Sequence, residues 1–312
     1  MKYIARKFVS LLITLFIVSV LAFFAFQIIP GDPAAVQLGI HATAESLEAL
    51  REEMGLNRPA VLRYFDWMGR FLSGDMGHSY IQGMPVGELM GDRLIITGTI
   101  MGMSFLLTVL IALPVGLLTG KKQWGLTHGF TTVVSQVVMA VPPLFLGILL
   151  TFVFGVVLRF FAPGDFVSFR ESVTGYLAYL FFPALAIALP KSAMAIRLIR
   201  ASIRDEMGKD YVRTAMSRGN GQRALLYRHV LPNIAVPVVT FLILTLTMMV
   251  TDSIVVEQIF SIPGAGRLLV SAIGNRDYPV VQALVMLVAA VIMGLYFLSD
   301  VICRMIDPRI TL

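Results

Sequence analysis

Six stretches of this chain are apolar for long enough to cross a lipid bilayer, and that pattern excludes most of the folds open to a polypeptide. A helix needs about 20 apolar residues to span ~30 Å of hydrocarbon. The stretches are residues 8–29, 94–118, 129–158, 176–189, 236–256 and 280–303. Pro142-Pro143 interrupts the third, and the fourth is the shortest, with room to extend past Lys191. The first has an apolar core longer than a signal peptide's 7–15 residues and no small-residue cleavage pattern after it, so it reads as a retained anchor. Composition agrees: 57% of the residues are hydrophobic and 14% charged, against about a quarter charged in soluble domains. The expected fold is an all-α integral membrane protein of six transmembrane helices.

Lys and Arg collect in cytoplasmic loops, and this sets orientation. With the N-terminus inside, the cytoplasmic segments hold 16 of the 25 Lys and Arg residues but 4 of the 19 Asp and Glu. Both termini are then cytoplasmic. The net charge of +6 is explained by this bias, and no nucleic-acid partner is needed for it. A single cysteine, Cys303, rules out an intrachain disulfide, and the four histidines share no ligand-like spacing, so no metal site is expected.

Two connections are long. The external one, residues 30–93, is expected to hold a short amphipathic helix capped by Thr43 and stopped at Gly55. An aromatic helix over residues 59–72 follows, packed as a lid on the span ends or docking a partner. The second connection, residues 191–235, is cytoplasmic, with 9 basic and 3 acidic residues. It reads as a helix, a glycine turn at Gly219-Asn220-Gly221, a second short helix, and Leu231-Pro232 opening the next span. A short helix held between two spans can carry motion from a soluble partner into the membrane.

Here the chain resembles the permease subunits of ATP-binding-cassette importers. Their cytoplasmic hallmark is Glu-Ala-Ala, three residues, Gly, nine residues, then Ile-x-Leu-Pro. Ala215, Gly219 and Leu231-Pro232 keep its spacing, while Arg213 and Thr214 replace the Glu and first Ala, and His229 replaces Ile. Further motifs resemble the dipeptide, oligopeptide and nickel branch: Gly31-Asp32-Pro33, Gly55-Leu56-Asn57-Arg58-Pro59, and Gly74-Asp75-Met76-Gly77-His78-Ser79 with Pro85-Val86. Then come Glu257, Phe260 and Pro263-Gly264-Ala265-Gly266, Arg276-Asp277-Tyr278-Pro279, and Asp307-Pro308-Arg309.

The resemblance implies a type I importer permease for di- or oligopeptides or a related small solute such as nickel, in a bacterial or archaeal cell membrane. Asp210, Arg213, Thr214, Ala215, Gly219, Leu231 and Pro232 would form the coupling helix that engages the ATPase. Asp75, Ser79, Glu257, Pro263, Gly264, Arg276 and Asp277 would serve docking of an extracytoplasmic solute-binding protein. Implied partners are a second homologous permease, two ATPases and that binding protein. The chain would divide into residues 1–29, the external loop 30–93 and a five-helix core 94–312.

This chain has no phosphate-cradling Gly-x4-Gly-Lys-Ser/Thr; the nearest run, residues 116–122, has the wrong spacing. No cofactor is therefore expected in it, ATP and Mg sitting on partner subunits, and no catalytic residue is assigned. Polar groups within spans are costly in lipid and mark pathways. Candidates are Gln136, Met139 and Pro143 in the third stretch, and Thr247, Thr251 and Asp252 in the fifth. Two other classes stay open: an ion-gradient transporter titrating Asp252 or Asp300, and an intramembrane enzyme.

Overall fold

A computed structural model describes residues 2–28, 32–39, 43–120, 126–162 and 164–306. The motif residue Gly31, the basic pair Lys121-Lys122 and Asp307-Pro308-Arg309 lie outside them. Helices dominate, and the described residues form no strand beyond one isolated bridge between His78 and Pro85.

Five helices are long and apolar enough to cross a membrane: α1 (Lys2–Ile28), α5 (Val86–Gly120), α8 (Val173–Met207), α11 (Leu231–Ile259) and α13 (Tyr278–Ile306). The remaining apolar stretch is a bent pair. α6 (Leu126–Ala140) stops at Val141-Pro142, and α7 (Pro143–Leu150) departs at 99° before relaxing into a π-helical turn over Thr151–Val157. Six membrane segments result if that pair counts as one crossing. Tandem prolines explain the break, because neither can donate to a helical ladder. A simple kink is too mild a description of it.

The spans also run past their apolar cores. α8 continues to Met207, so Lys191, where the fourth stretch had room to extend, lies in the middle of a helix. Within the 191–235 connection the helix therefore runs on to Met207, and its first break comes at Gly208. Helices continue into polar sequence because their backbone bonds do not need lipid, only hydropathy windows do.

The chain divides into two compact units, Met1–Thr97 with Pro263–Gly294, and Gly98–Ile262 with Leu295–Leu312. In the first, α2 (Pro33–Leu38) is capped by Asp32, which also pairs with Arg51 of α3 (Ala44–Glu53) at 2.7 Å. Thr43 and Ser46 form a reciprocal capping box at the α3 start, and Gly55 turns the chain at φ +65°. α4 (Ala60–Leu72) lays Tyr64 against α1, where its hydroxyl meets Ser19 at 2.8 Å and its ring meets Phe23. Val61, Leu62 and Phe65 on the other side stay exposed. The aromatic helix therefore packs on a span and keeps an apolar outer face suited to the interface. The start of α5, α12 (Ala265–Gly274) and the start of α13 share a core of Val86, Met90, Leu268, Val280 and Leu284.

In the second unit α8 is the central helix, packed by α6, α7 and α11. α5 approaches it closely at two glycines one turn apart. A Cβ on Gly116 would sit 3.0 Å from Ile199 Cβ, and one on Gly120 would sit 2.7 Å from Ile203 Cδ1. The run dismissed as a nucleotide loop is thus a small-residue helix contact. Gly116→Leu should cost 1–3 kcal/mol or more by overpacking and lower the melting temperature of the detergent-purified transporter. Gly102→Leu, with open space around its Cβ position, should leave it unchanged.

Candidate functional site: a coupling elbow and an intramembrane ion pair

The elbow is built from the end of α8, α9 (Asp210–Ser217), α10 (Gln222–Ala224) and the π-helical turn Leu225–Val230 that leads into α11. Its α9 helix is amphipathic over only two turns. Val212 and Ala215 are buried, in a core with Ile199 and Ile203 of α8 and Leu225, Leu226 and Val230. Asp210, Arg213, Thr214 and Ser217 recur at i, i+3, i+4 and i+7, and all four are exposed on one face. One side of α9 is fixed to the spans and the other is presented outward.

Gly219 ends the helix for a geometric reason. Its φ is +84°, its N–H bonds Met216 C=O at 2.9 Å, and Asn220 N–H bonds Ala215 C=O at 3.4 Å. This is the paired closure that needs a left-handed residue after the helix, the conformation glycine adopts without steric cost. Leu231 and Pro232 occupy the first two positions of α11. Proline's missing N–H removes a bond to the preceding turn, where the chain changes from π-helical to α-helical winding.

A polar lock, centred on a residue the sequence reading did not single out, joins the three elements. Glu206, buried at the end of α8, accepts from Tyr211 Oη at 2.5 Å and pairs with Lys209 Nζ at 2.7 Å. Asn233 Nδ2 of α11 donates to Tyr211 Oη at 2.8 Å and to His229 C=O at 3.0 Å. The hydrogen bond to Glu206 raises the Lys209 pKa. Lost hydration, reinforced by the same carboxylate, raises that of Tyr211. The lock therefore stays in one protonation state near neutral pH. A carboxylate in the last turn of a span, with donors three and five residues on, is the pattern that could have revealed it.

In the spans, Asp252 of α11 forms an ion pair with Lys191 of α8 at 2.8 Å, with side-chain exposures of 20% and 11%. The other pathway candidates separate. Thr247 is buried and bonds its own helix at Leu244 C=O, while Thr251 is exposed. Gln136 and Met139 line a cavity of about 90 Å3 between α6 and α8, beside Arg197 and Arg200. Arg200 donates to Thr132 Oγ1 at 2.9 Å there. Pro143 is the first residue of α7 and is not in that cavity.

The loop residues sort by burial. In the first unit Asp277 is buried and accepts from the Ser79 hydroxyl and from Tyr80 N–H at 3.0 Å. This fastens the 74–86 loop to the turn before α13. Arg276 holds φ +55° at the end of α12, a left-handed position filled here by a non-glycine residue. Gly264 is buried as the N-cap of α12, Pro263 is half-buried beside it, and Asp75 is exposed. In the second unit Glu257 is fully buried in α11. Of the first unit's six residues in this group, Ser79, Gly264 and Asp277 are buried and Asp75 is the one fully exposed.

Comparison with known proteins gives this geometry a class. Residues 112–312 match the family described as binding-protein-dependent transport system inner membrane component, and residues 1–101 match the N-terminal model of such membrane components. A probable peptide ABC transporter permease, y4tP, of Sinorhizobium fredii is 31% identical over 99% of this chain and 98% of its own length. The oligopeptide transport system permease AppB of Bacillus subtilis is 31% identical, covering 99% of this chain and 98% of its own. The glutathione transport system permease GsiC of Escherichia coli is 31% identical over 99% of both chains.

The chain belongs to the family of inner-membrane permease components of binding-protein-dependent, ATP-binding-cassette importers. It is a multi-pass transport subunit, and its family works with ATPase subunits and a solute-binding protein.

Proposed function

We propose that this chain is one of two homologous permease subunits of an ATP-driven importer of short peptides. In this reading both termini and the elbow are cytoplasmic, the 30–93 segment is external, and ATP and Mg are bound by two partner ATPases and not by this chain. The cargo class is supported by relatives named for peptide, oligopeptide and glutathione transport.

The observation that carries the mechanism is the two-sidedness of α9. Val212 and Ala215 anchor it in the core that holds α8 and α11, so a displacement of its exposed face must move both spans. That face carries Asp210 and Arg213, and its surroundings are basic, with Arg218, Arg223 and Arg228 exposed, which suits an acidic groove on the ATPase. Asp75 and the turn around Arg276, on the external side in this orientation, would receive the loaded binding protein. Lys191 and Asp252, facing each other across two spans, mark the pathway.

Arg213 is exposed and its contact with Asp210 is a loose 3.8 Å, so Arg213→Glu should not unfold the chain. It should reduce peptide uptake by reconstituted transporter at least tenfold while insertion persists. Uptake that survives this change, or that collapses with a protonophore and ignores ATP, contradicts the proposal.

A further inference from the structure

The unit formed by Met1–Thr97 and Pro263–Gly294 contains a cavity of about 770 Å3, of whose lining the docking reading uses only Asp75 and Ser79. One wall is a single face of α4, since Arg63, Asp66, Trp67 and Arg70 recur at i, i+3, i+4 and i+7 and all line it. Glu53, the last residue of α3, and Tyr80 contribute from other sides. Its charges are not all satisfied internally. Asp66 pairs with Arg58 at 2.9 Å, and Arg63 donates to Leu56 C=O at 3.3 Å. Arg70 and Glu53 have side chains without an ion pair or hydrogen bond among the described residues. Burial lowers the Arg63 pKa and raises that of Tyr80, which lies in the field of both guanidinium groups.

A surface-open volume of this size falls in the range of small-ligand sites. An unpaired guanidinium is a fork for a carboxylate. An unpaired carboxylate lining a cavity that also holds an indole suits an ammonium group. Aromatic walls accept apolar side chains. A ligand carrying a free carboxylate, a free ammonium group and small side chains meets all three conditions.

We infer that this cavity binds short peptides through their free termini, Arg70 with Arg63 taking the carboxylate and Glu53 the ammonium group. The inference rests on the proposed peptide import and adds a site on the permease itself, on the side where cargo arrives.

The complete transporter in lipid nanodiscs, with the binding protein omitted, is titrated with radiolabelled trialanine. Parallel titrations use trialanine amidated at its C-terminus or acetylated at its N-terminus. Binding should saturate. Arg70→Gln and C-terminal amidation should each weaken it tenfold or more, as should Glu53→Gln and N-acetylation. Both side chains are exposed in the last turns of α4 and α3 and hold no ion pair or hydrogen bond among the described residues, so unchanged melting temperatures are expected and separate binding from folding. Absent binding, or binding indifferent to both substitutions, overturns the inference even where ATP-driven peptide uptake persists. Unchanged trialanine binding with a raised KM for the loaded binding protein also overturns it, making the cavity a docking pocket for an acidic loop. A wild-type transporter that imports no peptide defeats the proposed function instead.

Discussion

Replacing Asp252 with Leu is expected to be among the most damaging single changes in the membrane-spanning part of this chain. Its carboxylate sits 2.8 Å from Lys191 Nζ, and the Lys191 side chain is 11% exposed. Removing one partner of a buried pair leaves the other charge without compensation and costs about 3–5 kcal/mol. Lys191→Met should do comparable harm from the other side. The double variant Lys191→Met, Asp252→Leu should recover most of the lost stability, because apolar groups of similar size often replace a buried pair at little cost. Melting of the purified complex tests this. Transport tests something different: if the pair serves the pathway, the stable double variant stays inactive. Stability and uptake that recover together would make the pair purely structural.

The second large effect is expected at Glu206. Glu206→Ala removes the acceptor for Tyr211 Oη and Lys209 Nζ and unfastens α9 from the end of α8. Hydrogen bonds to a buried charged group are worth about 1.5–3 kcal/mol each. The Lys209 share is discounted because its side chain is 56% exposed. A loss of about 2–3 kcal/mol, confined to the elbow, is expected. The spans should remain inserted while ATP hydrolysis and uptake lose their fixed ratio. Lys209→Ala, touching only the solvated member, should change both by less than twofold. ATPase and uptake rates measured on the same proteoliposomes decide it, and a Glu206→Ala transporter with wild-type coupling would remove the lock from the mechanism.

Much of this architecture was legible because lipid imposes so strong a filter. Six apolar runs identified the membrane segments, and the Pro142-Pro143 pair marked where one breaks. What the pattern could not supply was the 99° angle or the reach of α8 beyond its apolar core. Lys191, where the fourth stretch had room to extend, shows why. A charge in a hydropathy profile reads as a boundary, whereas its partner is 61 positions away and invisible to any local window. Ser79 and Asp277 repeat the lesson at a separation of 198 residues: both lay in quoted motifs, but nothing in either motif pairs them.

The elbow was more readable. Gly219 and Leu231-Pro232 keep the family's spacing because each meets a backbone requirement, a left-handed turn or a missing donor. The side chains Glu206, Tyr211 and Asn233 supply the lock instead, and no backbone rule singles them out. The threonines of α11 show what helical spacing leaves open: Thr240, Thr245 and Thr247 each donate to a carbonyl of their own helix, and the Thr240 hydroxyl also meets Cys303 Sγ at 2.9 Å.

Site-specific cross-linking at the outer face of α9 tests the central claim most directly. Cys303 is the only native cysteine, so a Cys303→Ser background carrying Ser217→Cys places one thiol on the exposed face. The account predicts that this thiol cross-links to an ATPase subunit, in a yield that changes when ATP is bound. A thiol that reaches no ATPase, or that a membrane-impermeant reagent labels from outside intact cells, contradicts it.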